Sequence, residues 1–248
     1  MFDISRQLGV QSWCFRHFKA VPAMLEQMKT LGLSRLELCG VHADFSNPAA
    51  FEAIAQSIKD AGVTISSFGV QYFDGKPEEE NWFKCAKIAG ISMIATSFAL
   101  GKMPDVLTKT VALAEKYDIK LGLHNHGGYD WLGSNKMLNH IFESTPPVVG
   151  SCLDTAWMIQ SGEDPLKFAD KWADRLYGVH IKDFTFGPNG KWSDVVVGTG
   201  NLQLRELMAI VTGKAAAACQ CVTLEYEGDI ENPLPKLTEC LEMVRKAV

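Results

Sequence analysis

Four short stretches in the second half of the chain carry the residue types that metal and acid–base chemistry requires: His124-Asn125-His126-Gly127-Gly128, Leu153-Asp154-Thr155, Val179-His180-Ile181-Lys182-Asp183 and Leu224-Glu225-Tyr226-Glu227. Each closes an apolar run and so reads as the end of a strand. Singly, each has an ordinary explanation. An Asp at a strand end commonly caps the following helix, and a single His there is commonly a hydrogen-bonded structural residue. Glu225, in an apolar run, needs a partner, because an unpaired buried carboxylate costs several kcal/mol. Taken together, four consecutive strands deliver a His, Asp or Glu to one place, and a divalent cation would partner all four at once.

The elements that must position these residues are legible as a rhythm. Apolar, β-rich runs fall at 8–13, 34–39, 63–69, 91–96, 119–124, 148–153, 176–181 and 220–225, with starts 26, 29, 28, 28, 29, 28 and 44 residues apart. One strand, one three-turn helix and two short loops use roughly 25 to 30 residues, so each interval holds one βα unit. Between them the spacing predicts helices. Met24, Leu25, Met28 and Leu31 follow helical steps from Pro22 to Gly32, Phe51, Ile54 and Ile58 lead to Gly62, and Trp82, Cys85, Ile88 and Ala89 lead to Gly90. Eight such units make an α/β fold, a single closed (β/α)8 TIM barrel. No linker rich in Pro, Gly or Ser divides residues 1–248, which are expected to form one domain. Side chains at the carboxyl ends of barrel strands face the catalytic mouth. The long seventh interval, containing Phe186–Trp192 and Gly198-Thr199-Gly200-Asn201, is expected to lay an extra loop over it.

On the motifs His-Asn-His-Gly-Gly, Leu-Asp-Thr, His-Ile-Lys-Asp and Leu-Glu-Tyr-Glu, the chain resembles the xylose-isomerase-like barrel superfamily. It resembles in particular the sugar isomerases and epimerases related to tagatose and psicose 3-epimerases, with inosose dehydratases and endonuclease IV as more distant relatives. The resemblance implies one divalent metal held by Glu, Asp, His and Glu on the fifth to eighth strands. Asp154, His180 and Glu225 match, and the fifth position departs, with His124 where many relatives carry Glu. An imidazole can replace that carboxylate, giving a ligand set of His124, Asp154, His180 and Glu225 that suits Mn²⁺, Co²⁺, Fe²⁺ or Zn²⁺ better than Mg²⁺ or Ca²⁺. A metal-bound imidazole does not readily shuttle a proton, so the two-glutamate epimerisation of the relatives does not transfer directly. What transfers is a metal stabilising an enediolate, with Glu225 as proton acceptor; Lys182 is either a donor whose pKa the cation would depress or an ion-pair partner of Asp154 or Glu225, and His126 is free to contact substrate.

Aromatic residues complete the expected site. Trp13 and Phe15 end the first strand, Trp131 follows the His-Asn-His loop, Trp157 follows Asp154 and Trp192 lies in the long loop, all placed to stack on a sugar. Glu37 and Gln71 are candidates to hydrogen-bond its hydroxyls. The glycine loop at 198–200 has few cations near it in sequence, so an unphosphorylated sugar or keto-sugar is the expected partner.

Composition excludes other classes. With 24 Lys and Arg against 29 Asp and Glu, a net charge of −5 and no basic cluster, nucleic-acid binding is not expected. No apolar run reaches the roughly 18 residues of a membrane span, and the start of the chain lacks a signal-peptide layout, so a cytoplasmic protein without a membrane partner is expected. Homo-oligomerisation is left open. Seven scattered cysteines read as reduced core thiols. The function expected is a metal-dependent sugar isomerase or epimerase, with a lyase (a dehydratase or eliminase) and a catalytically silent sugar-binding barrel as the alternatives.

Overall fold

The strands observed in the computed structural model, which describes residues 3–248, are β1 (Leu8–Gln11), β2 (Arg35–Leu38), β3 (Thr64–Phe73), β4 (Met93–Phe98), β5 (Lys120–His124), β6 (Val149–Asp154), β7 (Leu176–Ile181), β8 (Phe184–Phe186), β9 (Trp192–Asp194) and β10 (Cys221–Leu224). Eight of them close a parallel barrel in the order β1-β10-β7-β6-β5-β4-β3-β2, and β8 and β9 form a separate antiparallel hairpin. The barrel strands therefore sit where the apolar runs predict them. They read as near-continuous apolar runs because both faces are covered, one by the barrel interior and one by helices.

The helices are α1 (Ile4–Gln7), α2 (Val21–Leu31), α3 (Pro48–Asp60), α4 (Glu80–Ala89), α5 (Asp105–Tyr117), α6 (Asn135–Ser144), α7 (Thr155–Gln160), α8 (Pro165–Lys171), α9 (Leu204–Thr212) and α10 (Leu234–Ala247). Both α2 and α4 stop at glycines in the left-handed region, Gly32 at φ 76° and Gly90 at φ 69°, where a Cβ would be strained. The main core lies between these helices and the outside of the barrel. A smaller group, Met93, Ala95, Cys152, Tyr177 and Cys221, joins side chains of non-adjacent strands, a contact that only the barrel interior allows.

All seven cysteines are free and buried, and burial pushes thiols such as Cys39, to about 12, and Cys85, to about 11, out of the reactive range. Among the described residues, no helix is long and apolar enough to cross a membrane.

Three local expectations fail at strand ends. β1 stops at Gln11, and Ser12–Phe15 is a 3-10 turn rather than a strand continuation. β3 runs on to Phe73, so Gln71 lies inside it. The long seventh interval folds the β8–β9 hairpin where a loop was expected.

Candidate metal centre and active site

The ends of β5, β6, β7 and β10 bring His124, Asp154, His180 and Glu225 into one buried cluster whose donor atoms all lie within 4.8 Å of one another. Registration of neighbouring strands sets the level: Asp154 pairs with His180 across β6 and β7, and His180 with Thr223 across β7 and β10. Asn125 locks β5 to β6. Its side chain donates from Nδ2 to the Asp154 carbonyl and accepts from the Asp154 N–H, both at 2.9 Å, acting as an extra backbone unit where the ladder ends. Thr155 Oγ1 similarly ties the start of α7 to β7, donating to the Lys182 carbonyl at 2.6 Å and accepting the Lys182 N–H at 3.0 Å. Neither role is apparent from sequence, because both depend on which strand end lies alongside.

Asp154 is the helix cap that its position suggested, and its second oxygen faces the cluster. Oδ1 accepts the Trp157 N–H at 2.8 Å and caps α7, while Oδ2 is buried without a hydrogen-bond partner. Glu225 Oε2 is likewise unpartnered. It lies 2.7 Å from His180 Nδ1, an ion-pair contact. His124 Nε2 is 2.9 Å from that same Nδ1 and 3.7 Å from Asp154 Oδ2. Nitrogen and oxygen donors crowded this closely, two of them buried carboxylate oxygens lacking partners, are what a cation would satisfy, and so the residues present fit a divalent metal.

Burial is the largest single influence on the electrostatics of the cluster. Burial, reinforced by His180 and His126, holds His124 well below the ordinary imidazole pKa, leaving it neutral and able to coordinate. Burial pushes Asp154 up to about 7, against the pull of Lys182. Burial would also raise Glu225, but Lys182 and then His180 outweigh it and hold this carboxyl well below the usual range. Burial opposes charge on His180, yet Cys152, Glu37 and Glu225 around it raise its pKa well above the ordinary value.

Of its two sequence readings, a proton-moving amine beside a cation or an ion-pair partner of Asp154 or Glu225, Lys182 here takes the arrangement of the second. Its side chain has no exposed surface, and its ammonium donates to Glu225 Oε1 at 2.9 Å and to Glu227. Burial would lower its pKa, but Glu225, Asp154 and Glu227 raise it above the ordinary lysine value. Trp157 and Phe184 cover the ammonium, with ring centroids at 5.4 and 5.6 Å. Lys182 is thus a counter-charge for the acidic end of β10. In the metal-free protein, Lys182→Met should destabilise by about 3–5 kcal/mol, the scale of a broken buried ion pair, read as a lower midpoint in urea. A midpoint unchanged in that variant would mean the pairing is inconsequential.

Over the cluster opens a cavity of about 530 Å³, lined in part by Trp13, Gly69, His126, Trp157, Glu225 and Glu227. Burial lowers the pKa of His126, so it faces the cavity as a neutral ring, 4.6 Å centroid to centroid from His124. Trp13 donates from Nε1 to Glu227 at 2.9 Å. Of the remaining predicted aromatics, Trp192 is not among the cavity-lining residues; it stacks on Phe184 at 4.6 Å and meets the lining Trp157 edge-on at 4.9 Å.

Two others lie farther from the cavity. Phe15 is fully buried in the core, because the 3-10 turn after Gln11 breaks the strand alternation that would have placed it beside Trp13. Trp131, in the 3-10 turn capped by Asp130, packs against the core and is not among the cavity-lining residues. Gln71 is buried, with Nε2 donating to the carbonyl of Gly69, two residues earlier, at 2.6 Å. Glu37 lies under the cavity floor and bonds other side chains rather than a hydroxyl-bearing ligand.

The glycine loop at 198–200 does not wrap a phosphate either. Its donors are already spent on Asp183, whose buried carboxylate accepts the N–H groups of Gly198, Gly200, Asn201 and Leu202 at 2.8 to 2.9 Å. A Cβ on Gly200 would stand 2.6 Å from Asp183 Oδ1, so only glycine permits the approach.

The closed parallel barrel has counterparts among known proteins. The family profile described as xylose isomerase-like TIM barrel matches residues 25–247, and the chain belongs to that family. A curated relative, 3-oxo-isoapionate decarboxylase of Pectobacterium atrosepticum, is 26% identical over 193 residues, covering 73% of this chain and 68% of the relative. Among solved structures, 3-keto-D-glucoside 4-epimerase (YcjR) of E. coli superposes with a TM-score of 0.74 at 17% identity, over 97% of this chain and 99% of that one. The IolI protein with a bound zinc atom gives 0.74 at 16% identity, over 98% and 99%. At these identities the structural likeness speaks for the fold.

Proposed function

We propose that this protein is a divalent-metal-dependent isomerase or epimerase of an unphosphorylated sugar or keto-sugar. The observation that carries this reading is the convergence of His124, Asp154, His180 and Glu225, with unpartnered carboxylate oxygens, at the floor of a cavity large enough for a monosaccharide. A bound Mn²⁺, Co²⁺, Fe²⁺ or Zn²⁺ would polarise a carbonyl or hydroxyl and stabilise the negative charge that develops when the neighbouring carbon is deprotonated. Lys182 keeps Glu225 ionised, the form that accepts a proton. Neutral His126 can donate to or accept from a hydroxyl. Trp13 and Trp157 offer ring faces to the apolar side of a sugar. Neither Lys nor Arg is among the lining residues, whereas Glu225 and Glu227 are, a wall that disfavours phosphorylated substrates.

A second reading, a lyase acting on the same kind of keto-sugar, is favoured by one feature. Both carboxylates facing the cavity come from the end of β10, and the β5 side presents His124 and His126 instead. One-sided base chemistry suits elimination as well as isomerisation, and a relative named as a decarboxylase points the same way.

Metal-loaded protein incubated with a panel of keto-sugars in D₂O separates the readings. Solvent deuterium at the carbon next to the carbonyl, with a new epimer or aldose–ketose pair, supports the isomerase. An ultraviolet-absorbing enone, or CO₂ released from a β-keto sugar acid included in the panel, supports the lyase. Neither metal uptake nor turnover would leave a silent barrel. On the first reading, Trp157→Ala should raise KM about tenfold, equivalent to about 1.4 kcal/mol of lost stacking and burial, with metal content unchanged. An unaltered KM would remove Trp157 from the sugar-binding wall.

A further inference from the structure

Glu37 stands in the barrel interior at the end of β2, fully buried and outside the cavity lining. Its carboxylate is held from two sides. Gln11 Nε2 donates to Oε1 at 2.8 Å from β1, and Ser67 Oγ donates to Oε2 at 2.7 Å from β3. The remaining contact is with His180, whose Nε2 lies 2.8 Å from Oε1. Cys152 Sγ, 3.4 Å from the same Nε2, completes the surroundings of that ring edge. The opposite edge of the ring carries Nδ1, the atom that enters the four-residue cluster.

We infer that Glu37 is a positioning residue for the metal centre: by accepting the Nε2–H of His180 it fixes the tautomer and ring angle in which Nδ1 faces the cation. A neutral imidazole carries one N–H and one lone pair, so a strong acceptor at Nε2 commits the proton there and frees the lone pair at Nδ1. A charged acceptor also raises the basicity of the coordinating nitrogen. The inference deepens the metal-dependent reading and rests on it. Burying a carboxylate in an apolar barrel is costly, and three polar partners from β1, β3 and β7 offset that cost only in this one arrangement.

The test is metal affinity, measured by competition with a chromophoric chelator for Zn²⁺ and Co²⁺, together with the visible absorption of the Co²⁺ protein. Glu37→Gln retains the size of the side chain and an acceptor oxygen but not the charge. It should bind both ions 10- to 100-fold more weakly than the unsubstituted chain and shift the Co²⁺ bands. Equal affinity and an unchanged spectrum in Glu37→Gln would overturn the inference while leaving the metal site standing. Failure of the unsubstituted chain to bind either ion would overturn the metal reading and this inference with it. A measurement that needs no variant is the nitrogen-15 spectrum of the Zn²⁺-loaded protein. His180 is expected as the Nε2-protonated tautomer with zinc on Nδ1, and protonation at Nδ1 instead would refute the inference even if Glu37→Gln failed to fold.

Discussion

Asp154→Asn is expected to fold like the unsubstituted protein yet to bind Zn²⁺ or Co²⁺ at least about 100-fold more weakly and to lose measurable turnover with it. The two oxygens of Asp154 do separate jobs. Oδ1 caps α7 through the Trp157 N–H, and an Asn oxygen can take over that bond. Oδ2 faces the cluster unpartnered, 3.7 Å from His124 Nε2, and an amide there brings neither charge nor a strong donor to a cation. Asp154→Ala removes both functions and should add about 1 kcal/mol of destabilisation to the same loss of metal. Metal per chain by elemental analysis, set beside thermal melting of the two variants, checks the division. Full metal occupancy in Asp154→Asn would reduce Asp154 to a helix cap and dissolve the proposed centre.

The second large effect is expected at Asp183. Four backbone N–H groups, from Gly198, Gly200, Asn201 and Leu202, converge on its buried carboxylate, and Asp183→Ala would leave them without an acceptor. A hydrogen bond to a charged group contributes more than a neutral one, and an orphaned buried donor costs about 1–3 kcal/mol. The destabilisation should therefore reach at least about 4 kcal/mol, or the segment should detach as a unit. Either outcome disturbs the hairpin, which carries Trp192 against Trp157 and Asp194 beside the Glu227 N–H. Hydrogen exchange at residues 198–202 alongside urea unfolding distinguishes global from local loss. A variant with unchanged exchange and an unchanged midpoint would show that the cradle contributes nothing.

The barrel was legible in the sequence because its signals are local. Apolar runs of strand length, helical spacing between them and glycines at helix ends each depend on a few neighbouring residues. They reappear in β1 to β7 and β10, with shifted ends at β1 and β3, and in the left-handed Gly32 and Gly90. The strand ends also announced His124, Asp154, His180 and Glu225, since a polar group closing an apolar run is visible without knowing what lies opposite.

What each side chain does was decided only by tertiary structure. Alternation predicts side-chain direction only while a strand continues, and the 3-10 turn at Ser12–Phe15 sends Phe15 into the core while Trp13 reaches the cavity. Lys182 reads in sequence as either a proton carrier or an ion-pair partner, and the approach of β10 to β7 places Glu225 and Glu227 against it and keeps it charged. Glu37 looks like a hydroxyl binder until β1, β3 and β7 close around it. Asp183 and its cradle are 15 to 19 residues apart, joined by a hairpin that periodicity does not encode. Short-range patterning sets where strands and helices form. The pairing of charges and the satisfaction of buried polar groups depend on distances across the closed barrel, and those exist only once it has closed.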